Sequence, residues 1–114
     1  MHIVAQHHSP DGLLRLIVTR DDDGDTAVGF DGYSWHTHGD ILASLSGLPE
    51  DQAIQQFVED LIADRAIIVV SRVREQIRDI WPTEDPVAEF KYKPPVESLE
   101  FRRWSGVPIT VDRS

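Results

Sequence analysis

Two histidines one residue apart, His36 and His38 in the run Tyr33-Ser34-Trp35-His36-Thr37-His38-Gly39-Asp40, are the residues whose spacing most suggests chemistry. On extended backbone, side chains on one face sit about 6.6 Å apart, so both imidazoles can lean onto one zinc ion at about 2.0 Å. Asp40 is the nearest third ligand, and His7 and His8 join the set if their strand lies alongside. Zinc or another divalent cation held by His36, His38 and Asp40 would serve a metal-dependent hydrolase. The plainer reading is two partly exposed histidines on the wet side of a strand, bonded to their neighbours. It takes precedence, because His-x-His counts as a motif only when its structural context confirms it.

Other chemistries find less to work with. The chain has no cysteine, which removes thiolate ligands, thiol nucleophiles and disulfides together. It carries no Gly-x-Ser-x-Gly elbow, no Gly-x-Gly-x-x-Gly and no P-loop. A calcium loop with Gly24 at its sixth position would begin on Thr19 and end on Phe30, where carboxylates are required. The segment from Val28 to Asp40 resembles, over about a dozen residues, the His-x-His-Pro strand of the JAMM metalloproteases, a resemblance that implies His36 and His38 as zinc ligands. Gly39 stands where that family has proline, Ser46 and Asp51 do not keep its serine-to-aspartate spacing, and no glutamate precedes Glu50 to act as its general base. The family is not assigned.

Charge separates the halves. Residues 1–64 hold two arginines against twelve acids, a net −10, while residues 65–114 hold nine Lys or Arg against eight acids, a net +1. A field of that sign repels phosphate backbones and anionic headgroups and favours a cationic partner, so neither nucleic acid nor membrane is expected. Asp21, Asp22, Asp23, Asp51, Glu59 and Asp60 are the carboxylates expected to meet a basic protein partner. Solvation alone is the simpler use of such charge.

The elements that would position these groups follow from periodicity. Residues 2–8 and 13–20 read as strands joined by Ser9-Pro10-Asp11-Gly12, and Asp23-Gly24 supplies the next turn. Thr26–Phe30 continues as a strand. Residues 33–38 alternate, with Tyr33, Trp35 and Thr37 facing the core. A short helix over 39–47, capped by Asp40 and stopped at Gly47, should turn Ile41, Leu42 and Leu45 inward. A longer helix opens at Pro49 and carries Ala53, Ile54, Phe57, Val58, Leu61 and Ile62 at core spacing. Residues 67–81 fit either a hairpin through Arg74-Glu75 or a long helix, and β-branched Ile67–Val70 favours the hairpin. Ala88–Lys93 and Ser98–Trp104 read as strands, and Val107–Asp112 as an edge strand.

The sum is one α+β domain over residues 1–114: an antiparallel sheet of about five to seven strands with one long and one short helix packed on one face. No export signal opens the chain and no apolar run reaches the roughly 20 residues that span a bilayer, so a cytoplasmic protein is expected. Function is expected to be non-enzymatic and cofactor-free, an inhibitor- or immunity-like module that docks on a basic partner. Alternatives are the metal-dependent hydrolase and a homo-oligomeric structural module built on unpaired strand edges.

Overall fold

The computed structural model describes residues 2–111. Its first half is a meander of four antiparallel strands, β1 (His2–His8), β2 (Arg15–Arg20), β3 (Thr26–Phe30) and β4 (His36–His38), ordered β1-β2-β3-β4. Alternation decides the faces. Leu16 pairs with Phe30 and Val18 with Val28 on the buried side, whereas Ile17 pairs with Gly29 and Thr19 with Ala27 on the other. Gly24, with φ 89°, turns β2 into β3 and donates its N–H to the Asp21 carbonyl at 3.0 Å. Gly29 serves proximity instead: a Cβ there would lie 2.9 Å from the Trp35 carbonyl oxygen and 3.1 Å from His36 Cβ.

Two helices follow, α1 (Gly39–Ser46) and α2 (Glu50–Ile62). The expected cap at Asp40 is corrected: His38 occupies the N-cap position without a side-chain cap bond, and Asp40 lies in the first turn. The expectation that Ile41, Leu42 and Leu45 all face inward is corrected too. Leu42 packs against the core, while Ile41 and Leu45 are 47% and 81% exposed. Ile41 and Leu45 form one helical row and Leu42 lies beside it, so a helix seated through Leu42 leaves that row outside. Helix α2 buries Ala53, Ile54, Val58 and Leu61, each larger aliphatic side chain contributing about 1.5–3 kcal/mol. Ile62, expected in the same stripe, is 38% exposed.

The second half forms its own sheet, β5 (Ile67–Val73), β6 (Gln76–Thr83), β7 (Glu97–Arg102) and β8 (Pro108–Ile109), ordered β6-β5-β7-β8 and antiparallel throughout. Arg74 and Glu75, at φ 53° and 71°, make a two-residue turn, which decides 67–81 for the hairpin over the helix. The single sheet of five to seven strands is thus replaced by two sheets of four. The chain leaves the first sheet at β4, which has three residues and runs directly into α1, and the strands after α2 pair among themselves instead of extending it. Ala88–Tyr92, expected as a strand, is a 3₁₀ helix. Pro86, Pro94 and Pro95 bracket it and deny a ladder its donors, and its Phe90 ring sits 5.6 Å from that of Phe101, on the outer face of β7. The last strand has shrunk to Pro108–Ile109, and Asp112 lies outside the described residues.

Leu14, Leu16, Val18, Val28 and Phe30 of the first half share one apolar cluster with Ile54, Val58 and Leu61 of α2 and with Ile68, Val70, Ile80 and Trp104 of the second half. Polar ties add to it: the Trp35 N–H donates to Asp79 Oδ1 at 3.1 Å, and Arg102 Nη1 donates to Asp11 Oδ2 at 2.7 Å. Both ties leave the first sheet at its β1–β2 and β3–β4 connections. The β2–β3 turn therefore projects from the end of the sheet remote from them.

Two substitutions test this packing by chemical denaturation. Leu61→Ala should cost about 2–5 kcal/mol, since the side chain is fully buried. Gly29→Ala, forcing a methyl against backbone, should cost about 1–3 kcal/mol; an unchanged midpoint would show that β3 and β4 are not so closely apposed.

Candidate functional site

The histidine pair lies on the outer face of the first sheet, as alternation requires, with His36 opposite Gly29 and His38 opposite Ala27. The two rings stand edge to face with centroids 5.0 Å apart. His36 Nδ1 lies 3.0 Å from the Ser34 carbonyl oxygen, to which it donates in the tautomer protonated there. His38 Nδ1 lies 3.1 Å from Asp25 Oδ2, at ion-pair distance but without the alignment of a hydrogen bond. Asp40 is turned back on its own helix, its Oδ1 accepting the Ile41 N–H at 2.9 Å. Among the described residues, no group of three or more His, Cys, Asp or Glu is placed to hold a metal ion. Asp25, the carboxylate that does meet His38, was not legible in the sequence because the contact depends on the β3–β4 register.

The acidic residues divide into two sets. Asp21, Asp22 and Asp23 occupy the β2–β3 turn, where the Asp23 carboxylate accepts the Asp25 N–H at 3.1 Å. Gly24 of that turn shares a hollow with Arg20, Thr26, Pro49, Glu50 and Asp51, so the turn and the first residues of α2 lie at one end of the molecule, where acids outnumber the single arginine. Glu50 and Asp51 also sit where the helix dipole favours negative charge. Arg20 approaches Asp51 at 3.9 Å, with both side chains largely in water, and a pair so exposed contributes little. Glu59 lies two turns further along α2 on the same side. Asp60 does not join them: it accepts a hydrogen bond from Arg65 Nε at 2.8 Å, and this contact holds its carboxyl below the usual range.

Between β1 and α2 the sheet is left uncovered, and a groove of about 510 Å³ runs there. Val4, Ala5, Val18, Ile54, Val58 and Ile62 make its apolar lining. Asp51, Gln55 and Glu59, one helical turn apart from each other, form its α2 rim, and His7 and Arg20 stand on the sheet side. Val4 and Ala5 are consecutive yet both line the groove, because the β1–β2 register shifts between Ile3 and Ala5. Sequence reasoning found Asp51 and Glu59 but not this groove, whose one signal was Ile62 at the margin of the helical stripe.

A second polar cluster is structural. Asp11 Oδ1 accepts the Ser9 hydroxyl at 2.7 Å and the Leu13 N–H at 3.1 Å, while Oδ2 takes Arg102. Arg102 is 4% exposed and also donates to the Arg103 and Trp104 carbonyls, so its charge is fully occupied. Glu97, 5% exposed, accepts from the Ser71 hydroxyl and from Arg78. Neither cluster opens on a cavity that lines a candidate site.

No family model matches this chain, no curated protein shows significant similarity to it, and no solved structure matches it. No helix among the described residues is long and apolar enough to cross a membrane.

The Asp11 cluster gives a pH prediction. The Arg102 guanidinium and the Ser9 hydroxyl hold the Asp11 carboxyl far below its ordinary value. A depressed carboxylate contributes stability above its unfolded-state pKa, about 3.9, and loses it as pH falls toward the folded-state value. Asp11→Asn should therefore cost about 1 kcal/mol at pH 7, a figure discounted for the partial exposure of Asp11, and the deficit should shrink below about pH 4. Denaturation of both proteins across that range reads it. A deficit independent of pH would assign the loss to packing.

Proposed function

We propose that the protein is a non-enzymatic interaction module that docks on a basic protein partner through its acidic end. The observation that carries this reading is that the turn bearing exposed Asp21, Asp22 and Asp23 shares a hollow, through its Gly24, with Glu50 and Asp51 at the start of α2, Arg20 being the one cation in its lining. Among the described residues no Lys or Arg lies within ion-pair distance of Asp21, Asp22 or Asp23, so that charge faces solvent uncompensated. Apolar surface accompanies it, because Ile41 and Leu45 are exposed on α1, which packs against α2, and Leu48 is exposed in the connection between the two helices. Charge that steers encounter beside apolar area that holds a complex is the composition of a docking surface. His36 Nδ1 lies against the Ser34 carbonyl, His38 Nδ1 lies at ion-pair distance from Asp25, and Asp40 bonds its own helix, an arrangement that favours the docking reading over a metal site.

The test is titration against poly-lysine and a panel of small basic proteins. Binding should weaken steeply toward about 1 M salt, where the screening length falls to about 3 Å. The pair Asp22→Lys and Asp51→Lys should reduce affinity by at least about tenfold while costing no more than about 1 kcal/mol of stability, the helix-dipole contribution at Asp51, because both side chains are exposed. Affinity indifferent to salt and to both reversals would remove the reading.

A further inference from the structure

We infer that the groove between β1 and α2 receives an extended segment of the basic partner, added as a further strand on the free edge of β1. This rests on the reading of a basic partner and specifies the mode of its binding. Strand β1 pairs with β2 on one side and, as the outermost strand of its sheet, with nothing described on the other. Its sequence, His2-Ile3-Val4-Ala5-Gln6-His7-His8, carries neither the lysine nor the proline by which edges are commonly protected. Its one irregularity lies between Ile3 and Ala5, leaving Ala5–His8 in regular register. Ile3 and Val4 are 54% and 51% exposed, so aliphatic surface is already committed to this edge.

The geometry specifies the occupant. A strand added to β1 would lie about 4.8 Å beyond it, and every second side chain would point to the α2 side of the sheet. There it meets the row Asp51, Gln55, Glu59. Eight residues of helix separate Asp51 from Glu59, roughly 12 Å at 1.5 Å per residue. Same-face positions four residues apart on a strand span roughly 13 Å. The match predicts lysine or arginine at the two ends of such a segment and an aliphatic residue between them, directed at Val4 and Ile62. Charge argues against a second copy as occupant, since a chain of net charge −9 would bring like-charged rims together.

The probe is a pair of capped synthetic peptides of identical composition, Thr-Lys-Thr-Val-Thr-Lys-Thr and Lys-Thr-Thr-Val-Thr-Thr-Lys, titrated into the full chain and followed by amide NMR. The first peptide sets both lysines on the face of the valine; the second sets them on the opposite face. The first should shift amides of His2–His8 and Asp51–Ile62, slow amide exchange in β1, and bind at least about tenfold more tightly than the second. Glu59→Lys, an exposed position, should weaken it by a similar factor, and a peptide with glutamate in place of the second lysine should restore binding to that variant. Equal affinity for both peptides, shifts centred on Ile41 and Leu45, or sedimentation showing the chain self-associated through β1 would each overturn the inference. If basic proteins bind with the expected salt dependence while neither peptide does, strand addition fails and the acidic docking surface stands. If nothing cationic binds, both fall.

Discussion

A single helix cannot cover a four-stranded sheet, and most of what is distinctive here follows from that. Four strands at about 4.8 Å spacing make a surface some 15 Å across between the outer strands, against a helix roughly 10 Å in diameter. Helix α2 sits over the inner face of the first sheet, where Phe57 stacks on Trp35 at 6.4 Å and Ile54 and Val58 join Val18 and Val28 in the core. The far strand, β1, is left with one face half open and one edge unpaired. Helix α1, held close to α2 by the bare Gly39, turns to the β4 side and cannot extend the cover: a Cβ on Gly39 would lie 2.8 Å from Ile54 Cδ1. The exposed Val4 and Ile62 are the residue of this shortfall rather than independent features.

The distribution of charge has a comparable origin. Four cations of the second half are paired within the molecule: Arg65 with Asp60, Arg72 with Glu100, Arg78 with Glu97 and Arg102 with Asp11. Among these, the Arg102 contact crosses from the second sheet to the β1–β2 connection of the first and is well shielded on the arginine side, so removing its partner would leave a buried charge unpaired. The turn carrying Asp21–Asp23 projects from the opposite end of the first sheet, beyond the reach of those arginines. Negative charge is thereby concentrated by topology as well as by composition. Its placement at the first turn of α2 adds the helix dipole as a stabilising influence.

Much of the fold was legible because local patterns and tertiary packing agree. Leu16 and Val18, the α2 row Ile54, Val58 and Leu61, and the Arg74-Glu75 turn all adopt what their spacing implies. Failures occurred where a local pattern was satisfied but overridden. Ala88–Tyr92 alternates like a strand, yet its flanking prolines leave it no ladder to join. Ile41 and Leu45 look like core residues, yet α1 has one inward face and Leu42 occupies it. The single-sheet expectation failed because strand count can be read from sequence while the choice of partner for each edge cannot. At the site, Asp51 and Glu59 could be picked out as exposed acids, but Val4 as their apolar counterpart required knowing that β1 lies beside α2. Asp60, equally acidic by sequence, is separated from them by a single helical step that turns it toward Arg65.

That last contrast shows why exposure and neighbourhood, more than residue type, decide which carboxylates can serve a partner. Asp60 and Asp64 both have pKa values lowered by internal bonds, from Arg65 and from Ser105 respectively, and a partner would have to break those bonds to use them. Glu59 is bonded to Gln55 at 3.3 Å, a long and exposed contact that exchanges readily with solvent. Asp51 is 90% exposed at its side chain, with Arg20 at the limit of ion-pair range. Binding a cation at Asp51 and Glu59 therefore gives up little existing stabilisation, whereas binding at Asp60 or Asp64 displaces contacts the fold already makes. The carboxylates that border the uncovered edge of β1 are those held least firmly by the rest of the chain, and an incoming basic strand would meet them with the smallest internal cost.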